Sequence, residues 1–155
     1  MNVSKTLIRP ATPEDVHAVF ALIGELAAYE RAPHEVSNTA ERMLEDGFGT
    51  PDNWFGCAVA TSNDVVVGMA IWYFRYSTWK GRCLYLEDFY VKPECRRAGI
   101  GAQLFDYVLT LGREQHCARL VWQVLEWNEP AIQFYHKFGC QLDPEWLNGT
   151  IDLHE

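Results

Sequence analysis

The sequence predicts a mixed α/β (α+β) fold, a mostly antiparallel sheet flanked by helices, and three observations carry that prediction. Between Trp54 and Val91, aromatic and β-branched runs are broken only by short polar turns, as in an antiparallel meander. On both sides of the meander, apolar residues recur at helical spacing. The two periodicities follow one another as β-α-α-β-β-β-α-β-α-β, the order of one sheet covered by helices.

Residues 6–10 read as a short first strand. Thr12 is placed to cap a helix, Pro13 suits its first turn, and Glu14 and Asp15 complement the positive helix end. Val16, Val19, Phe20, Ile23, Leu26 and Ala27 keep a helical period to about Tyr29, where Ala32-Pro33 breaks it. A shorter helix is expected near Thr39–Glu45, with Asp46-Gly47-Phe48-Gly49 as the turn after it. Trp54–Thr61 and Val65–Tyr76 are strands joined at Ser62-Asn63-Asp64. Ser77-Thr78-Trp79-Lys80-Gly81 then turns the chain into a third strand, Arg82–Val91, which Pro93 ends because proline cannot donate to a ladder.

Residues 99–116 form a helical pattern with Ile100, Leu104, Phe105, Val108, Leu109 and Leu111 on one broad face. Arg119–Leu125 alternates Leu120, Trp122 and Val124 as a strand does. Asn128-Glu129-Pro130 starts a last helix reaching about Phe138, with Gly139 as its C-cap, and Gly149–Leu153 has weak strand character.

The 155 residues suit one domain, residues 1–155, with no linker or repeat to divide it. A hydrophobic content of 48% with 14% aromatics is that of a globular chain. No apolar run approaches the ~20 residues of a membrane helix. The segment Met1–Arg9 lacks the apolar core of a signal peptide, so a cytoplasmic location is expected. Five scattered cysteines without a Cys-x-x-Cys pair fit reduced thiols, and five scattered histidines show no metal-ligand spacing, so no metal is expected. A net charge of −8 argues against nucleic acid as partner and is compatible with a cationic small molecule, although acidity for solubility alone gives the same figure.

Chemistry concentrates where the third meander strand runs into the helix of residues 99–116. The turn Arg96-Arg97-Ala98-Gly99-Ile100-Gly101 offers an anion site. The first N–H groups of a helix lack intrahelical partners, the helix dipole adds positive charge, and glycine allows close approach. A Walker A loop is excluded because Ala102-Gln103 follow Gly101, and a dinucleotide fingerprint fails because Leu104 stands where a third glycine is needed. A glycine turn before an ordinary helix remains the plain alternative.

The pattern Arg-x-x-Gly-x-Gly after a strand resembles the coenzyme A loop of the GNAT N-acetyltransferases. Asn128-x-x-Ala131-x-x-Phe134-Tyr135, in the right order downstream, resembles the second motif of the same superfamily. Tyr85-Leu-Glu-Asp-Phe-Tyr-Val, Glu45-Asp-Gly-Phe-Gly, Glu25-Leu-Ala-Ala-Tyr-Glu and Glu126-Trp-Asn-Glu-Pro are similar to the diamine acetyltransferases, the spermidine/spermine and thialysine N-acetyltransferase family. The similarity runs from about Leu7 to Phe138. It implies the GNAT fold, a homodimer, acetyl-CoA as co-substrate and a small cationic amine as acceptor.

Residue by residue, the resemblance makes Glu87 the catalytic base and Tyr135 the acid at the coenzyme A sulfur. Phe89, Tyr90 and Val91 would hold pantetheine. Arg96, Arg97, Ala98, Gly99, Ile100, Gly101 and Ala102 would cradle the pyrophosphate, and Asn128, Pro130 and Ala131 would hold the cofactor at the last helix. Tyr29, Glu30, Trp79, Glu87, Asp88, Trp122 and Gln123 would face the acceptor. Burial in an apolar strand is expected to raise the pKa of Glu87 and make it a better base. Against these roles stand a core Tyr135 and a Glu87-Asp88 pair that merely meets a cation. Ser77 stands where spermidine acetyltransferases carry an aspartate, which favours lysine-like amino acids or short diamines over long polyamines. Polyamine acetylation, protein acetylation and a non-catalytic acyl-CoA-binding module remain alternatives.

Overall fold

A computed structural model describes residues 5–49 and 51–153 of the chain. Met1–Ser4, where the reading of the N-terminus begins, and His154 lie outside them. The chain forms two compact units, one up to Gln123 and the other from Val124.

The first unit is built on a five-stranded sheet in the order β1-β2-β3-β4-β5. β1 is Thr6–Pro10, β2 Gly56–Ser62, β3 Val65–Ser77, β4 Gly81–Val91 and β5 Arg119–Trp122. The first four strands pair antiparallel and β5 joins β4 in parallel. Asn63 and Asp64 turn β2 into β3 with φ of 50° and 67°. Positive φ at both central residues gives a turn whose twist suits a two-residue hairpin, and the short polar side chains of Asn and Asp tolerate it. At the other end of β3 the Ser77 hydroxyl accepts hydrogen bonds from the Trp79 and Lys80 amides (3.3 and 3.1 Å).

Helices cover both faces of the sheet. α1 is Val16–Tyr29, α2 Ala40–Phe48 and α3 Ile100–Glu114. The α1 side is filled by Val16, Val19 and Leu22 packed with Met43 of α2 and with Val59, Met69, Ile71 and Tyr90 of the sheet. On the α3 side, Phe105 meets the Phe89 and Trp122 rings edge-on. A bidentate ion pair joins the end of β1 to the entry of α1. Arg9 Nη1 and Nη2 donate to Asp15 Oδ2 and Oδ1 at 2.6 and 3.0 Å, and Asp15 also accepts from the Thr12 amide.

Three elements differ from the sequence expectation. α2 runs on through Asp46-Gly47-Phe48 instead of ending in a turn. Gly47 is buried there, and a Cβ at this position would overlap the Phe55 ring. β5 stops at Trp122, three residues early, where its ladder reaches Leu86. The next residue of β4, Glu87, is the extra one of a β-bulge, since Trp72 pairs with Leu86 and Ile71 with Asp88. A bulge bends and twists its strand, which ends regular pairing with the neighbour.

In the second unit α4 spans Glu129–His136, and Gly139 follows it with φ of 79°. The weak strand expected at Gly149–Leu153 is not formed, and residues 141–153 carry neither helix nor strand.

Candidate active site

The bulge decides where the carboxylates of β4 stand. In an unbroken strand Glu87 and Asp88 would point to opposite faces. With the extra residue, Asp88 takes its register from Ile71 and Tyr90 from Met69, which puts both on the α1 side of the sheet. Glu87 is exposed. This corrects the expectation of an apolar enclosure around it.

The burial expected for Glu87 falls on its neighbour. Asp88 is half-buried, and its carboxyl is pushed up to about 6, first by loss of solvent and then by the charges of Glu87 and Glu30. Glu30, at the C-terminal cap of α1, is itself raised by burial. Among the described residues no Lys, Arg or His side chain forms an ion pair with Glu30, Glu87 or Asp88. The desolvated carboxyls of Asp88 and Glu30 lower their energy by taking up a cation or a proton.

Sequence reasoning missed the aromatic floor beside this group. Tyr73 stacks on Tyr85 with centroids 5.1 Å apart, and the Arg75 guanidinium lies 5.5 Å from the Tyr85 centroid. Both hydroxyls are held above the ordinary tyrosine range, first by burial and next by the Glu87 charge. Their pairing follows from β3–β4 register, which the sequence does not state.

Beyond the bulge β4 continues to Val91, past the end of the β5 ladder, with Phe89 opposite Ala70 and Val91 opposite Gly68. Pro93–Ala98 then forms a 3-10 turn, and Gly99 enters α3 with φ of 76°. This is left-handed backbone, which glycine adopts without penalty. Open space surrounds the position where a Cβ would stand on Gly99. No side chain caps α3, so the amides of Ile100, Gly101 and Ala102 sit in its uncapped first turn. Arg97, Ala98, Gly99 and Ala102 are exposed around them. An exposed, uncapped, glycine-entered helix start fits a pyrophosphate.

Arg96 is placed differently from its neighbours. Its Nε donates to the Val91 carbonyl at 2.8 Å, and its guanidinium lies 5.3 and 5.5 Å from the centroids of Tyr90 and Tyr29. Trp79 sits in the β3–β4 turn, 83% exposed, and the Trp122 ring packs on Phe105. Gln123 follows β5 and is exposed. In the second unit Asn128 caps α4, its Oδ1 accepting from the Ala131 amide at 3.4 Å, with Pro130 in the first turn. Tyr135 is buried and meets the Phe134 ring at 5.4 Å. Cys57 is no nucleophile: burial, then Asp15 and Asp88, push its thiol up to about 12.

The acetyltransferase (GNAT) family model matches residues 20–140. Thialysine N-epsilon-acetyltransferase of Bos taurus is 40% identical over 144 residues, covering 87% of this chain and 84% of that protein. Spermidine/spermine N(1)-acetyltransferase-like protein 1 of Homo sapiens is 37% identical over 86% of this chain and 20% of its own length. An aminoglycoside acetyltransferase from an uncultured soil sample superposes with a TM-score of 0.77 at 18% identity, covering 96% of this chain and 97% of that one. The sheet, the glycine-entered helix and these matches lead to one conclusion: the chain belongs to the GNAT family and is an acetyltransferase.

Proposed function

We propose that this enzyme moves an acetyl group from acetyl-CoA to the primary amine of a small cationic acceptor, a lysine- or thialysine-like amino acid or a short diamine, by direct attack in a ternary complex. The observation that carries the proposal is the acidic group beside the β4 bulge, the desolvated carboxyls of Asp88 and Glu30 with the exposed Glu87 next to them, without an ion-pair partner among the described residues. The similarity to a thialysine acetyltransferase and a spermidine/spermine acetyltransferase-like protein supports the same acceptor class.

Acetyl-CoA, when bound, supplies the acetyl group as an activated thioester. The amides at the start of α3 and Arg97 hold its pyrophosphate, and Phe89–Val91 offer strand-like hydrogen bonds to the pantetheine arm. Asn128, with Pro130 and Ala131, holds the cofactor at α4. Tyr29, Glu30, Trp79, Trp122 and Gln123 help to bind and orient the acceptor. Glu87, directly or through water, takes the proton that the ammonium must lose before its nitrogen becomes a nucleophile. Asp88, its carboxyl raised to about 6 and so largely ionised at neutral pH, holds the cation and is the second candidate for that proton. Tyr135 gives its hydroxyl proton to the departing thiolate.

Glu87→Gln and Tyr135→Phe are expected to fold and bind acetyl-CoA as the parent does while turnover falls about 10²–10⁴-fold. Coenzyme A release read by a thiol reagent, with thermal melts alongside, checks this; undiminished turnover in both variants would remove the assigned roles.

We propose further that the chain acts as one domain and a homodimer in the cytoplasm. Exposed Phe74 and Tyr76 on β3 of the first unit support an apolar surface that a second copy covers. Light scattering on the purified chain at twice the monomer mass is the expected result.

A further inference from the structure

Arg96 belongs by sequence to the pyrophosphate loop, yet its side chain is engaged elsewhere. The Nε is tied to the backbone carbonyl of Val91, the last residue of β4. The guanidinium plane serves two aromatic rings, Tyr90 of β4 and Tyr29, the last residue of α1. Next to Tyr29 stands Glu30, whose charge acts on Asp88. Tyr90 is held in turn from α1, its hydroxyl donating to Glu25 at 3.5 Å while Lys92 pairs with the same carboxylate at 3.1 Å. The loop before α3 is thus fastened to α1 through two cations, Lys92 at Glu25 and Arg96 at Tyr29, and of these only Arg96 reaches the last residue of the helix.

We infer that Arg96 is a positioning residue that couples the two substrates. By latching the coenzyme A loop to the Tyr29-Glu30 end of α1, it makes an ordered loop and a correctly placed acceptor carboxylate a single arrangement. Each substrate then binds more tightly when the other is present, since a coupling between two sites is reciprocal. Lysine does not replace arginine in this role, because a compact ammonium offers neither a planar face for two rings nor a fixed Nε–H. The inference rests on the acceptor reading proposed above.

The test measures the affinity of thialysine by calorimetry, with and without saturating coenzyme A, which cannot donate an acetyl group. For the parent enzyme we expect thialysine to bind about tenfold more tightly in the presence of coenzyme A, within the usual range of coupling between sites. In Arg96→Ala, Arg96→Lys and Tyr29→Leu that factor falls to about one. The double variant Arg96→Ala/Tyr29→Leu is expected to lose no more than either single one. Tyr29→Leu leaves the loop sequence intact and keeps the test open should Arg96→Ala fail to fold. If Arg96→Ala weakens coenzyme A binding but keeps the coupling factor, or Arg96→Lys restores it, Arg96 is a phosphate ligand and the inference is overturned. A parent enzyme that binds both ligands independently also overturns it, leaving the acceptor reading in place. A parent enzyme that binds coenzyme A but, in the same calorimetry, neither thialysine nor putrescine overturns the acceptor reading itself, and the coupling with it.

Discussion

Asp88 is the residue whose surroundings bear most on the proposed binding of a cationic acceptor. Its carboxyl, raised to about 6, is largely protonated below that pH and offers no charge to an ammonium group there. Acceptor binding is therefore expected to weaken as pH falls through about 6, seen as a drop in kcat/KM for the amine. Asp88→Asn should flatten that limb and lower kcat/KM at pH 7.5 about ten- to hundredfold. Stability has the opposite sign. A carboxyl raised on folding holds its proton more tightly in the native state, so its contribution is fully present below about 4 and lost as pH rises through 6. Melts of the parent and Asp88→Asn should diverge across that window, the variant gaining on the order of 1–3 kcal/mol at pH 7 after allowance for partial solvent access. Parallel curves would show that Asp88 is solvated like an ordinary surface carboxylate.

Among the elements, the Arg9–Asp15 clamp and the entry to α3 make separable predictions. Asp15 is held below the usual carboxylate range, chiefly by Arg9 and then by the Thr12 amide against the cost of burial. Its stabilisation is present above pH ~4 and is lost as pH falls through the lowered value. Asp15→Asn at pH 7 removes charge-assisted bonds at the start of α1 and should cost about 1–3 kcal/mol in a denaturant melt, with little effect on acetyl-CoA affinity. Gly99→Ala works the other way. Its φ of 76° strains any side chain by about 1 kcal/mol, and the added methyl occupies open space beside the uncapped amides. A fall in acetyl-CoA affinity exceeding the fall in stability is expected; equal affinity would show that the pyrophosphate does not approach Gly99.

For the whole molecule, the fold was legible where local pattern and long-range pairing agree. The meander and the strand–glycine turn–helix passage could be read because turn residues and apolar period mark them directly, as Asn63-Asp64 and Gly99 show. The bulge at Glu87 could not, because it depends on which β3 residue stands opposite, and nothing in Leu86-Glu87-Asp88 declares that pairing. From the same gap follow the early end of β5, the exposure of Glu87 and the meeting of Tyr73 with Tyr85. Gly47 read as a turn because glycine disfavours helices, whereas the close approach of Phe55 is what selects it. Most candidate site residues were named from motifs, but Arg96 illustrates that a motif gives a position and not a direction.

The acidic group beside the bulge is expected to receive a small free amine for acetylation. Coenzyme A release from acetyl-CoA against thialysine, lysine, ornithine, putrescine, spermidine, spermine and a lysine-containing peptide tests it most directly. The expected result is amine-dependent release, fastest with a lysine-like amino acid or short diamine and slower with spermidine, whose distant ammonium finds Ser77 where an aspartate would be needed. Release with none of the free amines, while acetyl-CoA still binds, would contradict the claim.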